Sequence, residues 1–431
     1  MARLPVLAPA GWPVTALLAA AVLAGGPGAT GSGAREIVLR DPRLGSPRTR
    51  YYEVYRPANP HDYPRSLRTD PRYRQDYPWQ IWGLVWEKPG DPPTRRLFVH
   101  YQRPEHEGLA RRVAATLATI YWIAREYLGV APRAEPRSRR DPDPQVHLWL
   151  RADGEAGGEE FLGHLYLHAA DQPRAAAEWI REIAHEYAHA VLPSIGPYSE
   201  PERWANGYLG ERLFLKWLID SGQSGVWGES FPEAGYLAAQ IAPLRNRFLE
   251  EGPFDPALFR GDAAGMERLI GFVLAIEATH ELAVLRRVFA QLSSPSRPAA
   301  VRDAVEDVLA SPIAPGFRIE GGAQIPSRSR GRMTEGGWQF TQATYWIFLP
   351  AGEWEIVADG DPPAAMELIH VGHRLRLTRM PADGRFRVAV RAATWRQLEV
   401  TAPPERPVLL RGLDVRRVPG SEAAGVPQER G

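Results

Sequence analysis

"HEYAHAVLPSIGPYSEPERWANGYLGERLF", from His185 to Phe214, opens with two histidines four apart and a glutamate directly after the first. It lies at the end of "DQPRAAAEWIREIAHEYAHAVLP" (Asp171 to Pro193). That run predicts a helix: Asp171 suits a cap, Pro173 the first turn, and Pro193 a stop. Ile180, Ile183, Tyr187 and Val191 form its core stripe, and His185 and His189 share an adjacent face because positions four apart are neighbours.

The spacing fits metal chemistry. Neutral imidazoles four residues apart on a helix can both reach one Zn²⁺ at about 2.0–2.1 Å. Glu186 points to the side where a metal-bound water would lie and is suited to take its proton. Catalytic zinc usually has a third protein ligand and an open position. From Ala190 to Ile219 there is no further histidine and no aspartate, and Asp220 lies beyond a long helix. Glu200, Glu202 and Glu211 are the charged candidates. Helix spacing favours Glu211, whose neighbours Gly207, Tyr208, Phe214 and Leu215 form an apolar stripe on which an unpaired carboxylate is costly to bury. Glu200 and Glu202 lie in or beside a proline-bounded loop and suit a solvent-facing helix start.

Upstream, "LFVHY" (Leu97 to Tyr101) is β-prone, and Glu107 to Gly129 has apolar residues at helical spacing with a glycine stop. "QVHLWLRA" (Gln145 to Ala152) and "GHLYLHAA" (Gly163 to Ala170) read as strands, with a glycine-rich turn before the second. Residues 35–96 are rich in Arg, Tyr and Pro and read as an extended arm, with one strand-like run, "QIWGLVW" (Gln80 to Trp86). Downstream, 201–310 is a series of amphipathic helical runs. Residues 311–336 have the Gly, Pro and Ser content of a linker, 337–418 alternates at strand period as a small antiparallel β-sandwich, and 419–431 is expected to be a disordered tail.

This order resembles the gluzincin clan of zinc metallopeptidases, the peptidase MA-like group, over roughly residues 97–290. The resemblance rests on the strand–helix–strand–strand run, the HExxH of His185 to His189, and the tryptophan-led helix after it. It implies an α+β chain with a zincin-like catalytic domain (97–310: mixed sheet, active-site helices, helical C-terminal subdomain) before the β-sandwich. It implies peptide-bond hydrolysis with Zn²⁺ as cofactor, and a strand, here "GHLYLHAA", whose edge pairs with an extended substrate and whose His164 and His168 could line the cleft. Many members take the third ligand from W-x-x-E-G-x-A. Here Trp204 is followed by Ala205, Asn206 and Gly207, so glycine stands at the glutamate's place. Asn206 as a neutral substitute, or Glu211 one turn on, are the readings this leaves. The metzincin pattern fails, since Leu192 and Ile195 stand where glycine and histidine are needed. Members often add a Tyr or His as oxyanion donor, for which Tyr198, Tyr208 and His280 are available.

Composition bounds the rest. The chain has 431 residues, 44% hydrophobic and 24% charged, enough for a large core. With no cysteine, thiolate catalysis and thiolate metal sites are excluded. Residues 1–34 read as a signal peptide, with Arg3 before the apolar run Val14 to Gly26 and small residues near Ser32 and Ala34. Its removal with Arg3 leaves 51 basic against 51 acidic residues, no balance for nucleic-acid binding. A secreted, periplasmic or envelope location follows, with a peptide or protein as substrate and cell-wall or glycan contact assigned to the C-terminal domain. The competing reading is a non-catalytic envelope protein with a degenerate metal site.

Overall fold

The computed structural model describes residues 33–57, 68–132, 145–223, 225, 227, 231–311, 316–370, 372–380 and 384–418. The expected signal peptide, apart from its last two residues, and the expected tail lie outside these residues. No helix among those described is long and apolar enough to cross a membrane.

The first sheet has seven strands: β1 (Arg35–Leu39), β2 (Arg48–Tyr55), β3 (Trp79–Trp86), β4 (Thr94–Tyr101), β5 (Val146–Leu150), β6 (Gly158–Phe161) and β7 (His164–Leu167). Their spatial order is β1-β2-β3-β4-β5-β7-β6. The β4–β5 and β5–β7 pairs are parallel and the others antiparallel, so the sheet is mixed. Alternation within the strands sets its two faces. Val146, Leu148 and Leu150 join the main core, while Trp149 points to a smaller cluster with Tyr77 and Tyr166 on the other side. Helix α1 (Glu107–Leu128) crosses the first face and buries Val113, Leu117 and Ile120. It ends on Gly129 in the left-handed region, φ 71°, as the glycine stop predicts.

Two expectations change here. Residues 35–96 are not only an arm, since β1, β2 and β3 extend the sheet; among the described residues, the turns around Arg68 to Asp76 lie between β2 and β3. The strand expected at Gln80 to Trp86 is β3, while prolines around the region hid β1 and β2, although the run Arg48–Tyr55 itself contains none. The outer strand beside the helices is β6, not "GHLYLHAA", which as β7 is paired on both sides. The sequence "GEEF" of β6 carries two acids and no apolar alternation, so it has no strand signal of its own.

Helix α2 (Ala176–Val191) carries the HExxH motif and starts later than expected. Asp171 does not cap it; its carboxylate bonds Arg103 and His106 instead. Helix α3 (Asn206–Asp220) packs against α2. A Cβ on Gly210 would lie 2.1 Å from the Cβ of Ala188, so these two small residues allow a close helix crossing. A helical bundle follows: the short α4 (Glu233–Tyr236), a π-helical segment, α5 (Ala242–Glu251), α6 (Ala263–Thr279), α7 (Leu282–Gln291) and α8 (Pro298–Ala310).

The second sheet is antiparallel and has ten strands: β8 (Gly316–Glu320), β9 (Arg330–Thr334), β10 (Gly337–Leu349), β11 (Gly352–Gly360), β12 (Ala365–His370), β13 (His373–Arg376), β14 (Thr378–Arg379), β15 (Arg385–Val390), β16 (Thr394–Thr401) and β17 (Val408–Arg417). Two of them, β8 and β9, lie in the stretch expected to be a linker. The end strands β13 and β14 are joined through Leu377 alone, so the sheet nearly closes on itself around its own core. It also reaches into the first core. Phe348 and Trp395 are buried there, and Trp346 donates to the carbonyl of Leu249 at 3.0 Å.

Candidate metal centre

His185 and His189 face α3 from α2. Their Nε2 atoms are 3.3 Å apart. The third group is Glu202, whose Oε2 lies 3.0 Å from His185 Nε2 and 3.4 Å from His189 Nε2. These three residues form a group able to hold a metal ion. A tetrahedral ion with bonds of about 2.0–2.1 Å has ligand atoms about 3.3–3.4 Å from one another, close to the edges found here. Helix α3 adds a second indication. An ideal Cβ on Gly207 would lie 2.3 Å from His189 Nε2 and 2.5 Å from His185 Nε2, near the point equidistant from both nitrogens. The missing side chain keeps the space beside both ring nitrogens clear, a cradle that a methyl group would fill. Donor set and space both fit zinc.

The orientation of each ring is fixed from behind. His189 Nδ1 donates to Asn206 Oδ1 at 3.0 Å, and the Asn206 amide is held in turn by donation to the Leu192 carbonyl at 3.3 Å. This tautomer leaves the Nε2 lone pair toward the cradle. His185 turns its Nδ1 toward Glu211 Oε2, 3.6 Å away. Glu211 therefore stands behind a histidine, on the side opposite Glu202, and is not the third member of the group. Glu211, the carboxylate expected at the metal, faces Nδ1 of His185 and two arginines instead. Its buried carboxylate is balanced by Arg181 at 2.8 Å and Arg212 at 2.9 Å, with Tyr236 at 3.4 Å. Asn206 likewise stands behind a ring.

Glu202 sits on the loop between α2 and α3, and main-chain bonds fix that loop. Tyr198 N donates to the Arg203 carbonyl at 2.9 Å, closing a turn around residues 199–202. Gly196 N donates to Ser296 and Ser199 N to Gly261, tying the turn to the bundle. Gly196 has no room for a side chain, since a Cβ would meet the Arg203 carbonyl at 2.5 Å. Glu200 is exposed on the same turn.

The electrostatics favour a cation between the rings. Burial opposes charge on His185, but its bonds to Glu202 and Glu211 outweigh this and push its pKa up to about 10. Burial would raise Glu202, yet the two histidines hold it down at about 2. Glu186 behaves differently. Burial lifts it to about 7, against the pull of His185 and His189. Its Oε2 and Glu202 Oε1 are both buried without a hydrogen-bond partner.

Of the remaining expected residues, Tyr208 stands edge-on to the His185 ring at 4.7 Å, with Arg212 over its own ring. His280 is committed elsewhere. It stacks on Phe317 of the second sheet at 4.6 Å, and its Nδ1 bonds Thr279. Tyr198 is buried in the main core. His164 and His168 lie on the face of the sheet turned away from α2, against Trp149 and Tyr73, and do not line the cleft. The sequence reading passed over Gly207 as a cradle and Gly158 of β6, which touches Glu186. No family model matches the chain, and none of the curated proteins matches it.

Proposed function

We propose that the chain is an exported zinc-dependent metallopeptidase of gluzincin type, with His185, His189 and Glu202 as zinc ligands and Glu186 as general base. The observation that carries this reading is the near-tetrahedral spacing of the three ligand atoms over the empty side of Gly207. When bound, zinc lowers the pKa of a water toward about 7 and polarises a carbonyl.

The chain's own residues supply the rest. Glu186 follows a ligand on the same helix, and its carboxyl, raised by burial, is suited to take a proton from water and return it to a leaving amine. Tyr208, half-buried with its ring edge-on to His185, is the donor assigned to a developing oxyanion in this reading. Outer strand β6 runs beside α2 with its free edge available to an extended peptide. The second sheet is docked on the bundle and acts in this reading as a wall of the enzyme, with wall or glycan contact on its outer surface.

Metal analysis of the purified protein tests the centre, with about one zinc per chain expected from one three-ligand site. Gly207→Ala is expected to abolish it while leaving all three ligands in place. Glu186→Gln is expected to keep zinc and lose hydrolysis of fluorescein-labelled casein. A protein that takes up no zinc, or a Gly207→Ala chain that binds it normally, refutes the centre. Full activity in Glu186→Gln removes the general base.

A further inference from the structure

Strand β6 packs beside the active-site helix, and at Gly158 it presents a residue without a side chain to Glu186. An ideal Cβ on Gly158 would lie 2.6 Å from both Cγ and Oε1 of Glu186 and 2.9 Å from Cδ, closer than real Cβ atoms approach anything. The backbone there does not demand glycine. Gly158 pairs with Leu167 in regular antiparallel register, and it is not among the glycines with positive φ. Space is therefore what the position supplies. The three residues that follow in the strand, Glu159, Glu160 and Phe161, all carry side chains. Glu186 is 4% exposed and its Oε2 has no partner, so few polar bonds hold its carboxylate in place. Packing, including the close approach of Gly158, holds it instead.

We infer that Gly158 is a positioning residue for Glu186: the void over its Cα is the seat of the carboxylate, and the outer strand sets where the general base points. This rests on the metallopeptidase reading for its catalytic consequence, though not for the contact itself. Helix α2 fixes the Glu186 backbone relative to the ligands, but three side-chain torsions separate that backbone from the carboxylate. A methyl group on residue 158 must displace the carboxylate or the strand. Displacements near 1 Å in a reacting group cost on the order of 100-fold in rate.

The test is Gly158→Ala, read in three ways. Zinc content is expected to stay at that of the parent, because the atoms nearest the position all belong to Glu186. With fluorescein-labelled casein, kcat is expected to fall by about 10- to 100-fold with a smaller change in KM. In urea unfolding of the metal-free protein, Gly158→Ala is expected to lower the midpoint, and the same change in a Glu186→Ala background to lower it much less. That last comparison relieves the crowding by removing the carboxylate, and it also keeps the test alive if the single variant folds poorly. It needs neither metal nor activity, so it separates a failure of the seat from a failure of the peptidase reading. Equal losses with and without Glu186, or an unchanged kcat, overturn the inference.

Discussion

Oε2 of Glu202 lies 3.0 Å from Nε2 of His185, across the cradle left by Gly207. The carboxylate nearest the two rings thus comes from a loop and not from the following helix. The loop compensates for its lack of helical support with main-chain bonds to Gly261 and Ser296. Glu202→Ala is expected to weaken zinc binding by at least about 100-fold, beyond the range of a residue that only orients a ligand. Competition against a chromophoric chelator measures this. Far-UV circular dichroism is expected to be unchanged, since the side-chain bonds of Glu202 go to the two histidines. A variant that retains zinc at the parent affinity refutes the assignment.

Glu211 is expected to behave as a supporting residue. Glu211→Gln keeps its shape and removes the charge facing His185, so zinc affinity is expected to fall about 10- to 100-fold, less than for Glu202→Ala. Glu211→Ala has a second effect. It leaves Arg212, 8% exposed, without its carboxylate, and breaking one side of a buried pair costs about 3–5 kcal/mol. Thermal unfolding of the two variants separates the roles. An affinity loss larger for Glu211→Gln than for Glu202→Ala reverses them.

Much of this was legible in the sequence, for reasons that differ by residue. The spacing of His185 and His189 is a local property of one helix, so both rings were found at once. The Glu107 to Gly129 helix and the alternation of β10, β16 and β17 were equally local. The Glu202 carboxylate is brought to the two rings by a loop folding back, which no periodicity records. The argument from burial cost correctly marked Glu211 as a carboxylate in need of a partner. It could not see Arg181 arriving from another helix, though Arg212 was adjacent in the chain. Strand β6 was invisible because two acids stand in it, and β1 and β2 because prolines crowd the region around them, whereas β3 was legible in Gln80 to Trp86.

Trp395 joins the second sheet to the helical bundle. It is 3% exposed, with its ring 6.0 Å from Phe272 and 5.5 Å from Phe348 and its Nε1 donating to Glu306 at 3.0 Å. Trp395→Ala is expected to cost about 3–5 kcal/mol, the range for truncating a large buried aromatic residue. Because the residue belongs to the first core, the loss is expected in one cooperative transition observed by both tryptophan fluorescence and circular dichroism. Two separated transitions in the parent protein would mean the sheet is an independent module.

The last prediction concerns acid. His100 on β4 and His147 on β5 stack across neighbouring strands, with Nε2 and Nδ1 3.0 Å apart. Burial holds both below the ordinary histidine value of 6.5, His147 at about 3, and the neighbouring His164 adds to the shift. In the unfolded chain each takes up a proton near pH 6.5, while in the folded chain each stays neutral to far lower pH. The unfolded state binds more protons in that window, so folding stability rises with pH there. The contribution is complete above pH 6.5 and is lost as pH falls from 6.5 toward 3. Between pH 7.5 and 5.5 each neutral histidine is expected to remove about 1.4 kcal/mol. Urea unfolding of the parent and of His147→Phe across this range isolates one imidazole. The difference between them is expected to shift in favour of the variant on acidification, and a difference that does not change with pH rules the cluster out as the cause.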